Sequence, residues 1–125
     1  MTYTALCCLK MLGDDLSRCN RRAIIGAFRH LQQADGSFAS TSRHGESDMR
    51  FLYCACAISS MLNDWTGFDI DRSINYIRAC QSYDGGIGLF PTGEGHGGST
   101  YCAIASLVLM NKSGKENTKE KKPTD

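Results

Sequence analysis

The sequence predicts an all-α fold of repeated helical hairpins with a disordered C-terminal tail. Three observations lead there. Apolar residues recur at the three- and four-residue spacing of a helix in five separate stretches. Turn signals rich in Gly, Asp and Asn separate those stretches. The turn and helix motifs also come back at a period near fifty residues, the mark of stacked units that cannot bury their faces singly.

The first helix spans Met1 to Leu12, with Tyr3, Leu6, Cys7 and Met11 near one face, and Gly13-Asp14-Asp15 stops it. Nothing precedes it that could cap it, so a longer protein lacking its N-terminal part is expected. The second helix runs from about Asn20 to Gln33, with Ile24, Ala27, Phe28 and Leu31 as its stripe. Ala34-Asp35-Gly36 ends it, with glycine at the positive-φ position, and Phe38 is expected to tuck back. Residues 39–45 read as a polar loop.

The third helix begins near Ser47-Asp48, either of which can cap it. Phe51, Ala55, Ile58 and Leu62 form one stripe, and Arg50, Tyr53 and Ala57 another face. Asp69 caps a fourth helix carried by Ile70, Ile74 and Ile77, which ends in Gln81-Ser82-Tyr83-Asp84-Gly85-Gly86. The fifth covers Tyr101 to Met110 and ends near Asn111. The third and fifth are apolar over most of their surface, as befits an inner layer.

The repeat is explicit. Gln33-Ala-Asp-Gly-Ser-Phe38 returns as Ser82-Tyr-Asp-Gly-Gly-Ile87, and Tyr53-Cys54-Ala55 returns as Tyr101-Cys102-Ala103. Tyr3-Thr4-Ala5 is a weaker third copy. An open arc of such hairpins exposes apolar faces, so poor solubility is expected of the isolated chain.

Charge divides the chain in two. Residues 1–111 hold nine Lys/Arg and ten Asp/Glu, whereas residues 112–125 hold five Lys and three acids, for a net charge of +1. The tail has no apolar periodicity and is expected to be disordered. Nothing in this balance points to nucleic acid. The seven cysteines are odd in number and sit mostly in apolar helical stretches. They read as reduced thiols of a cytosolic protein. No C-x-x-C pair speaks for zinc, and the longest apolar run is too short to cross a bilayer. No Gly-x-Ser-x-Gly elbow occurs, and no strand precedes Gly85-Gly86-Ile87-Gly88.

His96-Gly97-Gly98 runs directly into the fifth helix. The first turn of a helix carries unsatisfied N–H groups and partial positive charge, and glycine lets an anion come close. The stretch reads as an anion-receiving helix start, for a phosphate or diphosphate, or more plainly as a Gly-rich turn with Ser99 as N-cap.

These segments resemble one family. The Asp-Gly turns on fifty-residue hairpins, Glu46-Ser-Asp-Met-Arg-Phe-Leu-Tyr-Cys-Ala55 and His96-Gly-Gly-Ser-Thr-Tyr-Cys102 are similar to the protein prenyltransferase β subunits. Met1-Thr-Tyr-Thr4, Leu12-Gly-Asp-Asp-Leu-Ser-Arg18 and Asn63-Asp-Trp-Thr-Gly-Phe-Asp69 resemble the geranylgeranyltransferase type I branch more than the farnesyl or Rab branches. The resemblance covers residues 1 to about 111. It implies part of an α/α toroid around an apolar funnel, an α subunit as partner, and geranylgeranyl diphosphate as lipid donor. It also implies a zinc ion that activates the cysteine of CaaX-terminated proteins such as small GTPases. His96, Gly97 and Gly98 match diphosphate-binding positions; Tyr3, Arg50, Tyr53 and Cys102 match isoprenoid-pocket positions. Without the family, Arg50 reads as an ion-pair partner of Asp48 or a neighbouring acid, and Tyr53 as ordinary core. The family's Asp-x-Cys zinc motif and later histidine have no counterpart here. The resemblance therefore implies that this chain holds no catalytic residue or metal ligand and does not turn over by itself. A non-catalytic helical-repeat module that binds a lipid or partner, and a farnesyl- or Rab-type sibling β subunit, are the competing expectations.

Overall fold

Three helices begin on an Asn or Asp side-chain cap. Asn20 accepts the Ala23 N–H at 3.1 Å, Asp48 that of Arg50 at 2.9 Å and Asp69 that of Arg72 at 3.2 Å. The helices they open are Arg21–Leu31 (α2), Met49–Leu62 (α3) and Ile70–Ala79 (α4); Thr2–Met11 is α1 and Gly97–Glu120 is α5. The computed structural model describes residues 1–42 and 45–120, with side chains through Gly114.

The two repeated turns are built alike. In the first, Gln33 N–H bonds Ser37 O at 2.8 Å and Asp35 accepts the Ser37 N–H at 2.9 Å; Gly36 sits at φ +92°. In the second, Ser82 N–H bonds Gly86 O at 2.8 Å and Asp84 accepts the Gly86 N–H at 3.0 Å; Gly85 sits at φ +87°. Each turn closes an isolated bridge, Gln32 with Phe38 and Gln81 with Ile87. The aspartate supplies the acceptor that rounds the corner, and glycine takes the left-handed φ that other residues resist.

α3 lies between α1 and α5 and packs on both. The repeat tyrosines near the N-terminal ends of these three helices touch, so the helices run parallel as an inner layer. α2 and α4 form the outer layer. Gln32, following α2, ties them: its Nε2 donates to Asp69 O at 2.9 Å and its Oε1 accepts the Asp69 N–H at 3.0 Å. Phe28, Phe38 and Phe68 meet edge to face beneath α2, as the inward turn of Phe38 requires.

The inner helices share a finer repeat. At spacings of three and four residues they carry Ala5-Cys8-Leu12, Ala55-Ile58-Leu62 and Ala103-Ser106-Met110. The second and third sets are buried; the first is exposed.

Two features depart from the sequence reading. The loop expected over residues 39–45 opens and closes on a two-stranded antiparallel ribbon, Phe38–Ala39 (β1) with Ser47–Asp48 (β2). The apolar Phe38 anchors this ribbon in the core, and Ser40 N–H extends it to Glu46 O at 2.9 Å. The fifth helix, expected to end near Asn111 before a disordered tail, begins earlier at Gly97 and continues through Glu120. Lys, Glu and Ser cost little in a helix, so a turn already nucleated on the apolar segment propagates into polar sequence. Residues 121–125 of that tail lie outside the described residues.

Candidate functional site

The N-terminal ends of the inner helices gather the residues that the sequence singles out. Tyr53 is the fifth residue of α3 and Tyr101 the fifth of α5, and their rings meet edge-on at 5.8 Å. The first turns of α3 and α5 are therefore level. Tyr3, in the first turn of α1, meets the other side of Tyr53, also at 5.8 Å. The three repeat tyrosines thus form one continuous aromatic row. Hydrogen bonding to Tyr3, burial and hydrogen bonding to Tyr101 push the Tyr53 phenol well above its ordinary range. At Tyr3 the bond to Tyr53 pulls downward, but burial and Cys7 outweigh it and the net shift is upward. These two phenols stay neutral at physiological pH and offer hydroxyls on an otherwise aromatic surface.

Arg50 is the second residue of α3, one turn before Tyr53 and Cys54. Its Nη2 reaches Asp48 Oδ2 at 2.6 Å and Glu46 Oε2 at 3.3 Å, and its Nε reaches Asp48 Oδ1 at 3.1 Å. The guanidinium also lies 5.3 Å from the Phe51 ring centre. Asp48 first, then Glu46, hold the arginine charged. The plain ion-pair expectation for Arg50 is therefore met. Its Nη1 makes no hydrogen bond among the described residues and remains available to a ligand. Two carboxylates already offset its charge, so Arg50 presents a placed donor more than a free cation.

His96 directly precedes α5, and its Nδ1 accepts the Gly98 N–H at 3.0 Å. The imidazole is thus the cap of this helix. The alternative cap, Ser99, instead donates to Ile87 O at 2.7 Å and is buried. With Nδ1 accepting, a neutral His96 carries its proton on Nε2. The two glycines differ. A Cβ on Gly98 would meet the His96 ring at 3.2 Å, whereas one on Gly97 would meet nothing within 4 Å. The space for a ligand at this helix start lies beside Gly97, one turn before Tyr101. Thr100 and Ser99 fix the start in place by bonding both backbone groups of Ile87 in the second Asp-Gly turn.

Cys102 is half-buried beside the row, and burial raises its thiol, as it does those of Cys54 and Cys80; it pushes Cys56 to about 12. These four are protonated hydrophobes and not thiolate ligands. Among the described residues no group of three His, Cys, Asp or Glu gathers to hold a metal. The residues do not fit a zinc site. No helix among them is long and apolar enough to cross a membrane.

One site residue escapes the sequence list: Tyr101 extends the aromatic row, and its signal is the repeat that pairs it with Tyr53. Asp48, expected as cap and as ion partner of Arg50, takes both roles.

Parallel inner helices at a fifty-residue period, backed by outer helices and edged by an aromatic row, define an α/α helical-hairpin array. A family model described as the prenyltransferase alpha-alpha toroid domain matches residues 1–123. The chain belongs to the prenyltransferase α/α toroid family. It is 53% identical over 113 residues to the geranylgeranyl transferase type-1 subunit beta of Arabidopsis thaliana, covering 90% of this chain and 30% of that protein. It is 46% identical over 112 residues to the same subunit of Dictyostelium discoideum, covering 89% of this chain and 32% of that protein. Similarity to the protein farnesyltransferase subunit beta of Arabidopsis thaliana is 37% over 118 residues, covering 93% and 24%. The chain spans about a third of the length of its geranylgeranyl-type relatives.

Proposed function

We propose that this chain is one wall of the lipid funnel in the β subunit of a cytoplasmic protein geranylgeranyltransferase type I. In this reading the whole protein works with an α subunit. It moves a geranylgeranyl group from geranylgeranyl diphosphate to the cysteine of CaaX-terminated proteins such as small GTPases. The carrying observation is the row Tyr3–Tyr53–Tyr101 next to the level starts of α3 and α5. An isoprenoid needs apolar and aromatic walls, and its diphosphate needs donors at one end. Tyr3, Tyr53 and Cys102 serve the chain of the lipid. The Gly97 N–H, the Nε2 of His96 and the Nη1 of Arg50 serve the diphosphate, with Gly98 holding the imidazole. The higher identity to geranylgeranyl-type than to farnesyl-type relatives supports the longer lipid. Zinc chemistry belongs to parts of the protein other than these residues, so the chain by itself binds lipid without turnover.

Calorimetric titration of geranylgeranyl diphosphate into the chain, alone and mixed with an α subunit, tests this. Saturable binding is expected. His96→Asn keeps a helix cap while removing the imidazole, and is expected to weaken binding about ten-fold, the worth of one hydrogen bond to a charged group. Unchanged affinity in His96→Asn removes His96 from the site. No binding under either condition removes the funnel reading.

A further inference from the structure

We infer that the outward face of α2 is a docking surface for an acidic helix of a partner protein, separate from the lipid wall. α2 carries Arg21, Arg22, Arg29 and His30 and no acidic residue. Arg22, Gly26 and Arg29 recur at helical spacing and are all exposed. Neither Arg22 nor Arg29 has an ion pair or side-chain hydrogen bond among the described residues, whereas Arg18, Arg50 and Arg72 are each paired with a carboxylate. Helix stability does not explain these cations. Arg21 and Arg22 occupy the first turn of α2, where the dipole places partial positive charge and acids are favoured. α4 follows the ordinary rule, with Asp71 in that place. A local rule broken with no gain in stability marks a functional surface.

The surroundings define what fits. α2 and the connection between α3 and α4 border a cavity of about 340 Å³, with Arg22, Gly26, Arg29 and His30 on one wall and Thr66 and Gly67 on the other. Gly67 rests on α2 so closely that a Cβ there would lie 2.6 Å from Ile25 O. The carboxylate of Asp64, also in the cavity, already accepts from the N–H and hydroxyl of Thr66 and is drawn by Arg21. Both walls thus belong to this chain. A hairpin stacked before α1 would meet the other flank of α2, where Ile24, Ala27 and Leu31 border a cavity with residues 1–4. Further repeats of the same subunit therefore leave the arginine face open. A Cβ on Gly26 would meet nothing within 4 Å, so a second helix can come close there. Arg22 and Arg29 lie two turns apart, about 10 Å along the axis. A partner helix with glutamates at that spacing sets one carboxylate on each guanidinium, and its charge also suits the start of α2.

Fluorescence anisotropy of a labelled synthetic helix bearing two glutamates two turns apart reads this without any lipid. Saturable binding to the chain is expected, weakening as salt rises. Arg22→Glu combined with Arg29→Glu is expected to weaken it about a hundred-fold, two hydrogen bonds between charged groups. A peptide with lysines in place of both glutamates is expected to bind that double variant and not the wild type. Gly26→Leu, which fills the open position, is expected to weaken the glutamate peptide about ten-fold while circular dichroism stays unchanged. Arg78→Glu reverses an exposed charge on α4 and is expected to leave the affinity as it was. No saturable binding overturns the inference. So does an equal loss in Arg78→Glu, failure of the lysine peptide to bind the reversed variant, or full affinity in Gly26→Leu.

Discussion

Ser59 is the one buried side-chain polar atom among the described residues without a hydrogen-bond partner. It sits fully enclosed in α3, where its hydroxyl has given up water and gained nothing. Ser59→Ala is expected to stabilise the fold by about 1 kcal/mol, seen as a thermal midpoint a few degrees higher. A lower midpoint would mean that the hydroxyl has a partner. Asp48 is the opposite case, since one carboxylate caps α3 and clamps Arg50. At this scale sequence and structure agree unevenly. The cap was legible because Asp before an apolar run has one local use. The ion pair of Arg50 was legible too, as the plain alternative to a pocket position. The imidazole cap at His96 was hidden, since Ser99 has the better intrinsic preference and lost it to Ile87.

The Asp-Gly turns look interchangeable in sequence and are not. A Cβ on Gly36 would lie 2.1 Å from the Arg72 carbonyl oxygen, whereas one on Gly85 would meet nothing within 4 Å. Gly85→Ala is expected to cost only the backbone penalty of a positive φ, about 1 kcal/mol. Gly36→Ala adds a collision with main chain that must part the turn from α4, and about 3 kcal/mol or more is expected. Urea unfolding of the pair measures the difference, and equal losses would contradict the close approach. Helix positions and the repeat could be read from periodicity because each element buries a stripe. The short ribbon could not, since two residues per strand leave no alternation to detect. The extent of α5 could not either, because Asn111 and Gly114 signal a stop that the helix runs through.

For the molecule as a whole, the titrating groups bound the usable pH. Burial lifts the Cys56 thiol from its ordinary 9.0 to about 12, against a small opposing pull from Ser106, and lifts the Tyr76 phenol too. Tyr53 is raised as well, chiefly through Tyr3. A group whose folded pKa is raised contributes stability that is complete below its unfolded pKa and is lost as pH climbs through the folded one. Stability is therefore expected to fall from about pH 9 upward. On the acid side, hydrogen bonds with Ser17, Thr66 and Ser82 hold the carboxyls of Asp15, Asp64 and Asp84 low. That contribution is present above about pH 4 and disappears as pH drops further. Urea midpoints are expected to be level between these limits and to decline on either side; a midpoint at about pH 10.5 matching that at neutrality would contradict the buried thiol and phenols.

The chain has a single tryptophan. Trp65 lies in the connection between α3 and α4, tilted against Phe68 at 6.0 Å, and Phe68 joins the Phe28–Phe38 cluster under α2. The tyrosine row belongs to the other layer. Indole emission is therefore a single-site optical reporter for the outer layer, with no label to attach. If the layers come apart at different denaturant concentrations, indole emission and the helical circular dichroism of both layers will trace different curves.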